Sequence, residues 1–306
     1  MNSKSPRKRL QLIYIAGYGH SGSTILETLV CCPDNIIGMG ELVGIPRELN
    51  ASFTKIFMEN YPKCRDLYRN IENALDNENE TLKSISELNK LEHLLNFHSK
   101  RERIRYNKFW TLFFDTAVSH SSGSVSIITD ASKTALAHAK RPYYLQNLKN
   151  VDVKMIHIIR HPRSVIGRYR SKRIYMDDVK GHQRLKEFFR VVRTSLNWTF
   201  SNIWPALNST RVHKYVRISF EELCDKPTET IKNIQDTLEI DMSETIRRLE
   251  NNEPLSATCG IAGNIPVKKK DRELKFQPSK KSVTETGFTS AFVSIILMPF
   301  YLLLTK

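Results

Sequence analysis

Between Gly17 and Thr24 the sequence GYGHSGST packs three glycines, three small hydroxyl residues and one histidine into eight positions. A turn of that composition lets successive backbone N–H groups converge on one oxyanion, with Ser and Thr hydroxyls as further donors. Ser21, Ser23 and Thr24 supply those hydroxyls. Gly19 and Gly22 keep the backbone open, and His20 presents a hydrogen-bonding or cationic ring to the bound group. A second concentration of charge lies far along the chain. From Arg160 to Arg173 six of fourteen residues are Arg or Lys. Together these features describe a site for a phosphorylated, polyanionic ligand.

The spacing narrows the kind of phosphate loop. Gly17 and Gly22 fit the glycines of G-x-x-x-x-G-K-[ST], but Ser23 stands where ATPases and GTPases carry lysine. A β/γ-phosphate would lack its usual counter-charge, which disfavours a nucleotide kinase. The plainer alternative is an ordinary strand–turn–helix corner that binds nothing.

The elements that must hold this loop are legible. Leu10 to Ala16 reads as a buried strand, and a helix starts near Ser23. Val125 to Thr129, Val153 to Ile159 and Tyr215 to Ser219 read as further buried strands separated by helical stretches. That alternation predicts an α/β fold, a parallel sheet flanked by helices. Ligands of such sheets sit beyond the carboxyl ends of the strands. His20, Asp130 to Lys133 and Arg160 all fall there. A polar, helix-rich insertion runs from about residue 48 to 115, between the first and second of these strands. Within it Leu82, Ile85, Leu88, Leu91, Leu94 and Leu95 give one apolar helical stripe.

Composition bounds the rest. The 306 residues carry a net charge of +15, and 40% are hydrophobic. They are read as one domain spanning 1–306 with an anionic partner. Nucleic-acid binding would call for base-reading or aromatic residues among the basic runs, and Tyr169 and Tyr175 are thin support. Five cysteines form no C-x-x-C pair and no zinc-ligand spacing, so no metal is expected and a reducing, cytoplasmic setting is. The apolar run after the basic N-terminus flows into the loop and is too short for a signal peptide. Residues Phe288 to Leu304 are charge-free and mostly apolar, with Pro299 inside. They read more readily as a buried helix than as a membrane anchor.

Five blocks in order resemble the sulfotransferases that use 3′-phosphoadenosine 5′-phosphosulfate (PAPS), in the branch of bacterial and tyrosylprotein-sulfotransferase-like enzymes. They are GYGHSGSTIL, GMGEL, TDASK, HIIRHPRSVIGRYRSKR and ISFEELCDKP. The resemblance implies that the first block holds the 5′-phosphosulfate and that Glu41 is the base for an acceptor hydroxyl or amine. It implies Lys133 and His20 as cations beside the transferred group. It also implies Arg160 as the 3′-phosphate ligand, an assignment that guanidinium geometry suits. Arg168 stands where the family usually has a second, serine ligand, and Phe220 replaces the tyrosine of Y-E-D-L. AGNIPVKKK resembles a cofactor loop of bacterial members, carrying Gly263, Asn264 and Lys268. Two rival readings remain: a P-loop kinase, and a non-catalytic binder of nucleotide or nucleic acid. The acceptor, whether sugar, lipid, peptide or small metabolite, has no readable motif.

Overall fold

The computed structural model describes residues 9–44, 69, 73, 87–96, 98–120, 127–174, 183–255, 276 and 288–305. Strand β1 (Leu10–Ala16) is buried along its length apart from Gln11. Its side chains alternate between two cores. Leu12, Tyr14 and Ala16 meet Trp110, Phe113 and Phe114 of helix α2 (Lys100–His120) on one face. Ile13 and Ile15 meet Leu26 and Leu29 of α1 (Ser23–Val30) on the other. Cover on both faces is why the strand reads as an unbroken apolar run.

Four more strands complete a parallel sheet: β2 (Ile36–Gly38), β3 (Ile127–Asp130), β4 (Val151–Ile159) and β5 (Lys214–Ser219). Their order is β2-β3-β1-β4-β5. Tyr14 lies opposite Asp130 and Ala16 opposite His157, so the loops after β1, β3 and β4 open at one edge. The expected α/β class is what forms. The sheet has five strands rather than four, because β2 is only three residues long and makes no sequence pattern. The insertion therefore follows β2, not β1.

The leucine stripe is shorter than its spacing predicts. Residues 87–89 are helical, and Lys90–Glu92 form a 3-10 turn. Leu88 and Leu91 are buried, Leu95 is 67% exposed, and Leu82 and Ile85 lie outside the described residues. Helix α3 (Arg141–Gln146) leads into β4, and α4 (Pro162–Ile174) and α5 (Gln183–Leu207) follow it. After β5 come α6 (Phe220–Asp225), α7 (Pro227–Leu238) and α8 (Ser243–Glu250).

The apolar C-terminal run forms α9 (Phe288–Thr305), packed along α4 and α5. Leu297 and Leu304 are buried against Ile159, Val165, Val191 and Trp198. Tyr301 donates to Glu221 Oε2 at 3.1 Å. Among the described side chains of α9 this face is buried, while Ile295, Ile296, Phe300, Leu302 and Leu303 are exposed. The expectation of a wholly buried helix is corrected to that extent: a helix lying in an outer layer has only one side to cover. Deleting residues 287–306 removes two fully packed leucines. It is expected to cost about 3–6 kcal/mol, read as a lowered denaturation midpoint. An unchanged midpoint would show that α9 contributes nothing to the fold.

Candidate active site

The loop between β1 and α1 is shaped by three positive-φ residues, the first of them Gly17 at φ 128°. His20 has φ 64° and Gly22 φ 94°, and Gly22 serves as N-cap of α1 without offering it a side chain. The left-handed region costs a side-chain-bearing residue about 1–2 kcal/mol, so His20 is held there by its surroundings. Part of what was read as room for an anion is room for protein. A Cβ at Gly22 would come within 2.2 Å of the Phe220 ring, and one at Gly19 within 2.3 Å of the Tyr169 hydroxyl.

Arg160, just past β4, reaches this loop. Its Nη1 donates to the His20 carbonyl at 3.1 Å, and its guanidinium lies 4.1 Å from the Phe220 ring centre. The Phe220 ring thus offers the guanidinium a flat face to stack on. Trp198 holds the strand end from below by donating to the Arg160 carbonyl at 3.1 Å. Burial, and then the nearby charge of Arg168, lower the Arg160 guanidinium from its ordinary value. Arg168 is thus within electrostatic reach of Arg160, although its own side chain is exposed.

Two buried polar atoms here have no hydrogen-bond partner, the Ser21 hydroxyl and Arg160 Nε. Leaving such groups unsatisfied costs about 1–3 kcal/mol each, more for a charged one. Anionic groups of a bound ligand, one at each, would satisfy them.

On the other side of the loop, Glu41 and Lys133 form a hydrogen-bonded ion pair. Lys133 is also left-handed, with φ 67°, and its N–H donates to the Ile15 carbonyl at 3.2 Å. The Tyr14 hydroxyl donates to its carbonyl. Tyr169 joins the two halves of the site. It stands edge-on to the His20 ring at 4.7 Å and stacks on Tyr18 at 5.3 Å. Burial raises its hydroxyl above the ordinary range, with Tyr18 and then Glu41 adding to the shift. His20, Glu41, Lys133 and Arg160 thus converge around one loop.

Sequence reasoning missed what holds Glu41. Its neighbours on both sides donate their N–H groups to buried carboxylates. Gly40 N–H reaches Glu27 Oε1 at 2.7 Å, and Leu42 N–H reaches Asp130 Oδ1 at 3.3 Å. Glu27 sits on α1, so the helix that begins the loop also positions the Glu41 segment. Asp130 in turn accepts from Arg141 Nε at 2.7 Å, and Arg141 also donates to Glu92. Tyr106 and His138 complete the Glu92 shell at 2.7 and 2.9 Å. Burial alone would raise the Glu92 carboxyl, but Arg141, with His138 and Tyr106, brings it below its ordinary value. The only signal available beforehand was Asp130 inside TDASK.

Gly263, Asn264 and Lys268 lie outside the described residues. So do Cys64 and Cys259, while Cys31, Cys32 and Cys224 form no disulfide with one another.

The fold is similar to that of a solved sulfotransferase domain. A sulfotransferase domain from the Synechococcus PCC 7002 olefin synthase aligns with a TM-score of 0.53 at 15% identity, covering 98% of each chain. A sulfotransferase domain from the curacin biosynthetic pathway aligns at 0.48 and 14% identity, over 96% of this chain and 99% of that one. A sulfotransferase from Alicyclobacillus acidocaldarius aligns at 0.47 and 10% identity, over 98% and 96%. No curated protein matches the sequence. Residues 12–244, from inside β1 to the first turn of α8, match the sulfotransferase family, and the chain belongs to that family.

Proposed function

We propose that this chain moves a sulfuryl group from PAPS to a hydroxyl or amine acceptor and releases 3′-phosphoadenosine 5′-phosphate (PAP). The observation that carries the reading is the pair of unsatisfied buried groups, Ser21 Oγ and Arg160 Nε, at one loop. Both are donors, and both suit the oxygens of a phosphorylated nucleotide.

In this reading Gly19, Ser21, Gly22, Ser23 and Thr24 hold the 5′-end of the donor. Arg160 takes the 3′-phosphate, with Arg168 beside it. Gly263, Asn264 and Lys268 contribute from the C-terminal side, and residues 1–306 act as one domain. Glu41 accepts the acceptor's proton. Lys133 and His20 stabilise the charge that develops on the departing oxygen. The Glu41–Lys133 pair joins base and cation in one unit, so the acceptor must reach the edge of that pair. The partner is then a carbohydrate, lipid, peptide or small-molecule acceptor.

A thermal-shift comparison separates this reading from its rivals. PAP is expected to stabilise the protein, by about 2.7 kcal/mol at a hundredfold excess over Kd, and ATP and a short DNA duplex much less. Equal or larger stabilisation by ATP would favour a kinase, and by DNA a nucleic-acid binder.

A further inference from the structure

Among the described residues thirteen large apolar side chains are exposed, and ten of them lie on α5 and α9. The two helices pack side by side. On α9 the exposed set is Ile295, Ile296, Phe300, Leu302 and Leu303. On α5 Phe189, Leu196, Phe200 and Leu207 recur at intervals of seven, four and seven residues. That spacing forms one stripe, directly opposite the buried Val191 and Trp198. Exposed apolar side chains in such number along two packed helices mark a docking face.

Charge indicates the occupant. The α9 segment carries no charged residue from Phe288 to Thr305. Its two neighbours are strongly basic by sequence. Helices α4 and α5 together hold nine Arg and Lys residues and one acidic residue, Glu187. Exposed Arg193 falls within the α5 stripe itself, between Phe189 and Leu196. Two such surfaces on copies of a +15 chain would repel one another, which argues against self-association. An anionic bilayer surface fits both properties. Aliphatic and aromatic side chains enter the headgroup boundary, while flanking Lys and Arg pair with acidic lipids. No helix among the described residues is long and apolar enough to cross a membrane, so the seat would lie in the plane of the surface.

We propose that the outer face of α5 and α9 docks this protein peripherally on anionic membranes. This inference stands apart from the assigned chemistry, since none of the apolar side chains of this face has a part in it. Co-sedimentation with vesicles tests it, using phosphatidylcholine alone or mixed with phosphatidylserine. The full chain is expected to bind the mixed vesicles, to bind the neutral ones more weakly, and to be released as salt rises. Ile296→Glu combined with Leu303→Glu is expected to weaken binding by about tenfold or more. Both side chains are exposed, so the melting temperature should not change. Three results would overturn the proposal: no binding to acidic vesicles at low salt, equal binding by the double variant, or a wild-type dimer that the double variant dissociates. The last would make this face a self-association surface.

Discussion

Replacing Glu41 by glutamine is expected to lower turnover by about 10²–10⁴-fold while leaving PAP affinity close to that of the wild type. Glutamine keeps the shape of the side chain but cannot take the acceptor's proton. The backbone of the segment should stay in place, because Gly40 and Leu42 donate to Glu27 and Asp130 independently of the Glu41 side chain. The measurement is release of PAP and transfer of labelled sulfate, with PAP binding followed in parallel. Unchanged turnover would reduce Glu41 to a partner of Lys133 and move the base elsewhere. A loss of PAP affinity equal to the loss of turnover would assign it to donor binding instead.

The second large effect is on stability. Arg141→Met is expected to destabilise the fold by about 3–5 kcal/mol, because it strands Asp130 and Glu92 as buried carboxylates without their shared cation. All three side chains are fully buried, and Trp110 lies 4.0 Å from the guanidinium. Denaturant titration reads the loss directly. The pH dependence carries the same signature. Glu92 is held below its ordinary value in the folded protein, so the unfolded chain takes up a proton first as pH falls. The stability from this network is therefore present above the ordinary carboxylate range, about pH 4.3, and is lost on acidification below it. Removing Arg141 should flatten that part of the profile. A variant as stable as the wild type would show that the network holds nothing in place.

The parts of this protein that were legible in its sequence are those governed by local pattern. β1 and β4 are buried on both faces, so their apolar runs stand out, and the glycine-rich loop between β1 and α1 declares itself by composition. β2 escaped because three residues make no period, yet it brings the chain to Glu41. Glu27 looked like any helix-surface glutamate. Its burial follows from Gly40 and Thr129, the latter 102 positions away in sequence. Arg141 and Glu92 are 49 positions apart and look like surface charges until α3 and the 3-10 turn meet. The glycines were found for an incomplete reason: Tyr169 and Phe220 fill the space where their side chains would be. For α9 the apolar composition is nearly uniform around the helix. Only its position against α4 and α5 decides which side is covered.

In the proposed function a 3′-phosphorylated nucleotide binds at the β1–α1 loop with Arg160 on its 3′-phosphate. Calorimetric titration of PAP and of adenosine 5′-phosphate, into wild type and Arg160→Ala, tests it most directly. Wild type is expected to bind PAP much more tightly than adenosine 5′-phosphate, and Arg160→Ala to lose most of that preference. A charge-assisted contact of about 1.5–3 kcal/mol corresponds to roughly ten- to hundredfold in Kd. Equal affinity for the two nucleotides, or a preference that survives in Arg160→Ala, would contradict it.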